Sequence, residues 1–169
     1  MSATVEVFRK YLHTLFIETG SHVGDGIQQA LDAGFKAVVS IELSEELFKQ
    51  CEDRFKSDSR VIVIQGDSSK VLPKILTDII VPATLWLDGH YSGGGTAQGE
   101  KNSPLLEELE ILKQHPIHTH TILIDDVRLW GNWGIDIELI EQKLLNINPN
   151  YKLVFEDGYV PNDILVATI

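Results

Sequence analysis

A chain of 169 residues with 25 acidic against 14 basic side chains, a formal charge of -11, has room for one domain with a sizeable core. It has no basic stripe with which to release counterions from a phosphate backbone, which excludes nucleic acid as the first reading of its partner. No apolar run approaches the roughly 18 residues a membrane helix needs, and one cysteine, Cys51, leaves no internal disulfide. The amino terminus MSATVEVFRKYLHTLF lacks a basic head ahead of an apolar core, so the expectation is a cytoplasmic protein with no membrane partner.

Apolar, β-rich runs alternate with segments of helical periodicity, the pattern of a parallel sheet covered by helices. The first strand is LFIETG (15–20), followed by a helix over 25–33. Strand AVVSIEL (37–43) leads to a helix over 45–56, and strand VIVIQGD (61–67) to a helix over 69–76. ATLWLDG (83–89) is the fourth strand, and a helix over 103–114 follows with Ser103 as N-cap and Pro104 at its first position. After TILIDDV (121–127) comes a helix over 134–146, closed by the Asn-Pro-Asn turn at 148–150. YKLVFED (151–157) and DILVATI (163–169) are joined only by GYVPN, too short for a crossover, so the last two strands form an antiparallel pair. With no repeats and no linker-like stretch, residues 1–169 read as a single domain.

Chemistry gathers at the strand ends. FIETGSHVGDG (16–26) is a strand entering a glycine-containing turn that opens a helix, where an α/β sheet offers backbone amides to a ligand. The spacing E-x-G-x-x-x-G at Glu18, Gly20 and Gly24 is not the dinucleotide fingerprint. Glu42, at the end of the second strand, is placed to accept from two ribose hydroxyls, although LSEE beside it also reads as a helix cap with first-turn acids. Asp67 ends the third strand, within reach of an adenine amino group.

ETGSHVG, SIEL, QGDSS and LWLDGH, in that order at consecutive strand ends and followed by the terminal hairpin, resemble the class I S-adenosylmethionine-dependent methyltransferases over nearly the whole chain. The resemblance implies an α/β, Rossmann-like sheet of seven strands, mostly parallel, with an antiparallel C-terminal strand inserted between the fifth and sixth and helices on both faces. It implies S-adenosyl-L-methionine as cofactor, with its methionine near Glu18 and Gly20, its ribose on Glu42 and its adenine near Asp67 and Ser68. Ser21, His22, Gly24, Leu43 and Asp88 complete the implied cofactor set.

Asp88 and His90 follow the fourth strand and should face Asp125 and Asp126 after the fifth. Carboxylates that close call for a positive partner, and a hard divalent cation such as Mg2+ suits oxygen ligands. An Asp followed closely by His, with acids after the next strand, resembles the metal-dependent, macrocin-type sugar O-methyltransferases. That resemblance implies Asp88, Asp125 and Asp126 as metal ligands, with His90 and Asp88 as the catalytic pair and His90 as the base. The alternative is local: Asp125 starts a turn, Asp126 caps the next helix and His90 decorates a loop.

SGGGTAQG after His90 reads as a mobile lid or an ordinary loop. Trp130 and Trp133 either stack on a sugar or aromatic acceptor or simply pack. His115, His118 and His120 have ligand-like spacing but precede the fifth strand, away from the site, and Cys51 reads as a core residue. His22 either lines the cofactor pocket or packs. The functional expectation is O-methylation of a small hydroxylated acceptor, sugar or catechol-like, with a homo-oligomer as the protein partner that could complete so open a site. The rivals are a non-catalytic cofactor-binding or scaffolding protein of the same fold, and a nicotinamide-dependent reductase, which the glycine spacing and the terminal hairpin disfavour.

Overall fold

The structure, a computed structural model, describes residues 3–89 and 103–169. Seven strands form one sheet: β1 (Leu15–Thr19), β2 (Ala37–Glu42), β3 (Val61–Gln65), β4 (Thr84–Leu87), β5 (Thr121–Ile124), β6 (Lys152–Glu156) and β7 (Ile164–Thr168). Their order is β3-β2-β1-β4-β5-β7-β6, with β7 antiparallel to both β5 and β6 and the remaining pairs parallel. The C-terminal strand thus lies between the fifth and sixth, as the resemblance implied. The chain reverses its direction of travel across the sheet between β1 and β4, which opens the crevice where ligands bind in folds of this kind.

The two-residue period of the central strands builds two cores at once. Leu85 and Leu87, Ile122 and Ile124, Leu165 and Ala167 face α4 (Ser68–Leu76), α5 (Leu105–Gln114) and α6 (Ile137–Ile147). Phe16, Trp86, Leu123 and Val166 face α1 (Val5–Lys10), α2 (Asp25–Ala33) and α3 (Glu45–Phe55). On that second face Phe8 meets Phe16 and Trp86 edge-on, at ring separations of 4.9 and 5.2 Å. The edge strands β3 and β6 are only partly buried, so the two faces are deepest over β1, β4, β5 and β7. No helix of the described residues is long and apolar enough to cross a membrane.

Several boundaries differ from expectation. α1 was not foreseen: six residues carry too little pattern, and its cap, Thr4 accepting from the Val7 amide, shows only in the fold. α5 begins at Leu105 with Pro104 in the cap position, while the Ser103 hydroxyl accepts from the Leu105 amide. The helix expected from 134 begins at Ile137, capped by Asp136, because Gly134 at φ 69° closes a 3-10 helix, Val127–Trp133, that fills the space after β5.

The histidines ahead of β5 form a hydrogen-bonded chain. The Ala83 amide donates to His120 Nδ1, so His120 Nε2–H donates to His115 Nδ1 at 3.0 Å, and His115 Nε2–H donates to the Leu76 carbonyl at 3.1 Å. His118 is half-buried and reaches the Lys113 carbonyl. Burial, with His115 and His13 nearby, lowers the His120 pKa to about 4. Between that value and the ordinary 6.5 the unfolded chain binds a proton that the folded one refuses, so stability is lost as pH falls through this window. His120→Gln is expected to flatten that part of the profile, by up to an order of 3 kcal/mol, in urea unfolding at pH 7 and pH 4.5. An unaltered slope would show that His120 titrates normally.

Candidate active site

The turn after β1 is shaped by backbone more than by side chains. Gly20 sits at φ 87°, and a β-carbon there would lie 2.6 Å from the Asp88 carbonyl oxygen, so the turn lies directly on the residue that ends β4. Gly20 and Ser21 both donate their amides to the Ile41 carbonyl. Gly24, at φ 86°, leaves no room for a β-carbon either, since Phe55 Cε2 would be 2.6 Å away. His22 adopts φ 48°, its amide donating to Glu42 Oε2 at 2.8 Å and its carbonyl accepting from Cys51 Sγ at 3.0 Å. The residue is exposed, which argues against the packing alternative, and these hydrogen bonds are made by its main chain. Cys51 is buried, and burial reinforced by Glu18 and Glu42 pushes its thiol up to about 12, so it stays an uncharged thiol.

Glu42 is only 5% exposed, so it is not a solvated acid ahead of the helix. Its two oxygens accept from the amides of His22 and Ser44, each at 2.8 Å, locking the carboxylate at the mouth of the crevice, while Ser44 caps α3. Each oxygen keeps a second acceptor position. Leu43, half-buried, anchors β3 through its carbonyl, which accepts from Gln65 Nε2. Asp67 is the N-cap of α4: Oδ1 accepts from the Ser69 amide and hydroxyl and Oδ2 pairs with Lys70. Ser68 begins the helix, buried.

Beneath the turn, Glu18 is buried and aligned with Ser40 across the β1–β2 register, and it accepts from the Ser40 hydroxyl, which also meets Ser21. Burial raises its pKa to about 8, against the Ser40 hydrogen bond and with help from Asp88 and Glu42. A carboxyl so placed gains most from a cation at its mouth.

The acids past β4 and β5 do converge. Asp88, Asp125 and Asp126 each present one oxygen, and these oxygens all lie within 4.8 Å of one another. Asp125 and Asp126 are buried. The strand ends at Ile124, three residues before the expected boundary, because Asp125 Oδ1 accepts from the Asp126 amide and Asp126 turns left-handed at φ 58°. Asp126 occupies the cap position of the 3-10 helix without a side-chain cap bond, so helix capping does not account for its carboxylate. His90 and the SGGGTAQG segment lie outside the described residues. Trp130 is buried and donates its indole N–H to the Asp125 carbonyl at 3.1 Å. With Val127, Gly131, Gly134, Ile135, Asp136 and Ile137 it lines a hollow of about 440 Å³. Trp130 therefore braces the acid turn.

Two residues that sequence reasoning missed belong here. Glu108 of α5 is 1% exposed against Ser68 and Thr19, and burial raises its pKa to about 7. Its signal was present: it sits in the apolar stripe Leu105, Leu109, Leu112. Arg128 carried no such signal, since its partner Asp163 lies 35 residues away.

No family model matches the sequence, and no curated protein aligns with it significantly. Solved structures do resemble it. An O-methyltransferase from Bacillus cereus in complex with SAH has TM-score 0.66 at 16% identity, covering 98% of this chain and 78% of that one. TomG, an O-methyltransferase from Streptomyces achromogenes involved in tomaymycin synthesis, gives 0.64 at 12%, covering 98% and 77%. The protein SMU.1697c from Streptococcus mutans in complex with SAH gives 0.62 at 13%, covering all of this chain and 99% of that one. At such identities the likeness is one of architecture, and with β7 between β5 and β6 and an open glycine turn over β1, the chain has the fold of the class I S-adenosylmethionine-dependent methyltransferases.

Proposed function

We propose that the protein is an S-adenosylmethionine-dependent methyltransferase that methylates a hydroxyl of a small acceptor, assisted by a divalent cation between Asp88, Asp125 and Asp126. The observation that carries this reading is adjacency: the Gly20 turn rests on the Asp88 carbonyl, and the oxygens of Asp88, Asp125 and Asp126 gather within 4.8 Å. A methyl donor in the turn and an acceptor at the acids would be neighbours, which is what orientation requires.

The residues fit both groups. Glu18 suits the ammonium of the cofactor's methionine end, Glu42 has free acceptor positions for ribose hydroxyls, and the remaining lone pairs of Asp67 can take an adenine amino group beside Ser68. Three carboxylates are a hard, all-oxygen donor set of the kind Mg2+ prefers. Such a cation, when bound, lowers the pKa of a coordinated hydroxyl. His90, two residues beyond Asp88, is assigned the proton. The hollow beside Trp130, mostly apolar with Asp136 at its wall, suits an acceptor with an apolar body and a polar group, and the net charge of -11 disfavours nucleic acid.

The test is isothermal titration with S-adenosylhomocysteine, then methyl transfer to diols and catechols with and without chelator. Binding is expected in the micromolar range, and binding without transfer to any acceptor would favour a non-catalytic scaffold. The pH dependence checks Glu18. An ammonium ligand needs its carboxylate, so below about 8 binding must expel a proton, and affinity is expected to rise with pH between 6 and 8, by at most tenfold per unit. Glu18→Gln should bind more weakly and without that rise. A pH-independent wild type would remove Glu18 from contact with the ligand's charge.

A further inference from the structure

Arg128 stands between the acid site and the terminal hairpin. Its Nη1 lies 2.5 Å from Asp126 Oδ1 and also pairs with Asp163 Oδ2, while its amide donates to Asp163 Oδ1. The guanidinium side chain is 29% exposed, against 7% for Asp126 and 0% for Asp163, so it neutralises two buried carboxylates from the solvent side. Its charge centre lies 5.0 Å from the centroid of the Tyr159 ring in the β6–β7 connection, and the Val127 amide donates to the Asp163 carbonyl. Asp126 is thus shared: one oxygen meets Arg128, and the carboxylate also belongs to the cluster with Asp88 and Asp125.

Three clustered carboxylates repel strongly, and a buried charge left without a partner is costly. An arginine cannot shed its proton to escape a site, so it is a permanent charge there. We infer that Arg128 is a resident counter-charge of the acid site, held on Asp126 and tuning the affinity for a divalent cation, which competes with the guanidinium for Asp126. This rests on the reading of Asp88, Asp125 and Asp126 as a cation site. Asp163 is the second half of the device, because it gives the guanidinium a partner when the cation draws on Asp126.

The inference predicts variants of opposite sign. Mn2+ binding to the full chain, read by titration calorimetry, is expected to tighten several-fold to tenfold in Arg128→Met, where Asp126 loses the guanidinium beside it, and to stay near wild type in Arg128→Lys. Arg128→Met should also have a lower thermal midpoint without Mn2+ and a larger rise on adding it. If Arg128→Met does not fold, Asp163→Asn decides: deprived of its second partner, the guanidinium is committed to Asp126, and Mn2+ binding should weaken several-fold. Unchanged or weaker binding in Arg128→Met, or unchanged or tighter binding in Asp163→Asn, would reduce Arg128 to a structural tether and overturn the inference. Binding by Arg128→Met with none by wild type would support it in its strongest form. Absence of Mn2+ binding in wild type and in every variant would instead reject the cation site, and the inference with it.

Discussion

Asp125→Asn is expected to lower methyl transfer by about 10² or more while leaving the fold intact, because the amide keeps the local hydrogen bond and loses only the charge. Asp125 has two duties. Its Oδ1 accepts from the Asp126 amide at 2.8 Å, which holds the left-handed turn at φ 58°, and an asparagine oxygen can do the same. In the proposed cation site its other duty would be charge: it is one of three carboxylates offering oxygens within 4.8 Å, and a neutral amide oxygen is a poorer ligand for a hard cation. The thermal midpoint should therefore move little without cation, whereas Mn2+ affinity and transfer fall together. Asp125→Ala should cost stability as well, since the turn loses its acceptor. Full activity of Asp125→Asn, or of wild type in chelator, would eliminate the cation and leave His90 to act alone.

Gly20→Ala is expected to cost on the order of 2 to 4 kcal/mol of stability and to weaken S-adenosylhomocysteine binding by at least about tenfold. Two penalties coincide at this position. The backbone is at φ 87°, which L-residues adopt only with strain, and the new methyl group would meet the Asp88 carbonyl oxygen at 2.6 Å and its carbon at 3.0 Å. Neither wall can give. The Asp88 amide is bonded to the Thr19 carbonyl, and the Gly20 amide to Ile41, so relief requires parting β1 from β4 or from β2. Gly134→Ala separates the penalties: φ is 69° but no atom lies within 4 Å of the added carbon, so only the backbone cost of about 1 kcal/mol should appear. Urea unfolding of both variants, with titration of the ligand, checks the pair. Equal destabilisation by the two would show that the contact with Asp88 is immaterial.

The sites of these substitutions were legible before any fold was known. Runs such as ATLWL and TILI are apolar on both faces, and a strand of that kind must be central. Polar residues closing such runs, Glu42, Asp67, Asp88 and Asp125, must then lie at the carboxyl edge of a parallel sheet, where ligands bind. Glycines at 20 and 24 marked a turn tight enough to need them. These inferences use neighbours in the chain, whose relations are set by the two-residue period of a strand and by local turn chemistry.

What the sequence by itself determined, then, was which residues close the strands at the carboxyl edge of the sheet and which elements carry them there. Only the tertiary structure decided how they are held. Asp126 could be placed at the site but not paired, because Arg128 acquires its second anchor, Asp163, when β7 slots between β5 and β6. Glu42 could be placed at a strand end, but its fixed orientation depends on an amide 20 residues earlier in the chain. His22 could be placed in the turn, yet its exposure and its backbone hydrogen bonds follow from α3 packing Cys51 and Phe55 beneath it. Periodicity and turn propensity are properties of short stretches and survive in the unfolded chain's sequence, whereas charge pairing, burial and close approach depend on distances that exist only once the layers have closed.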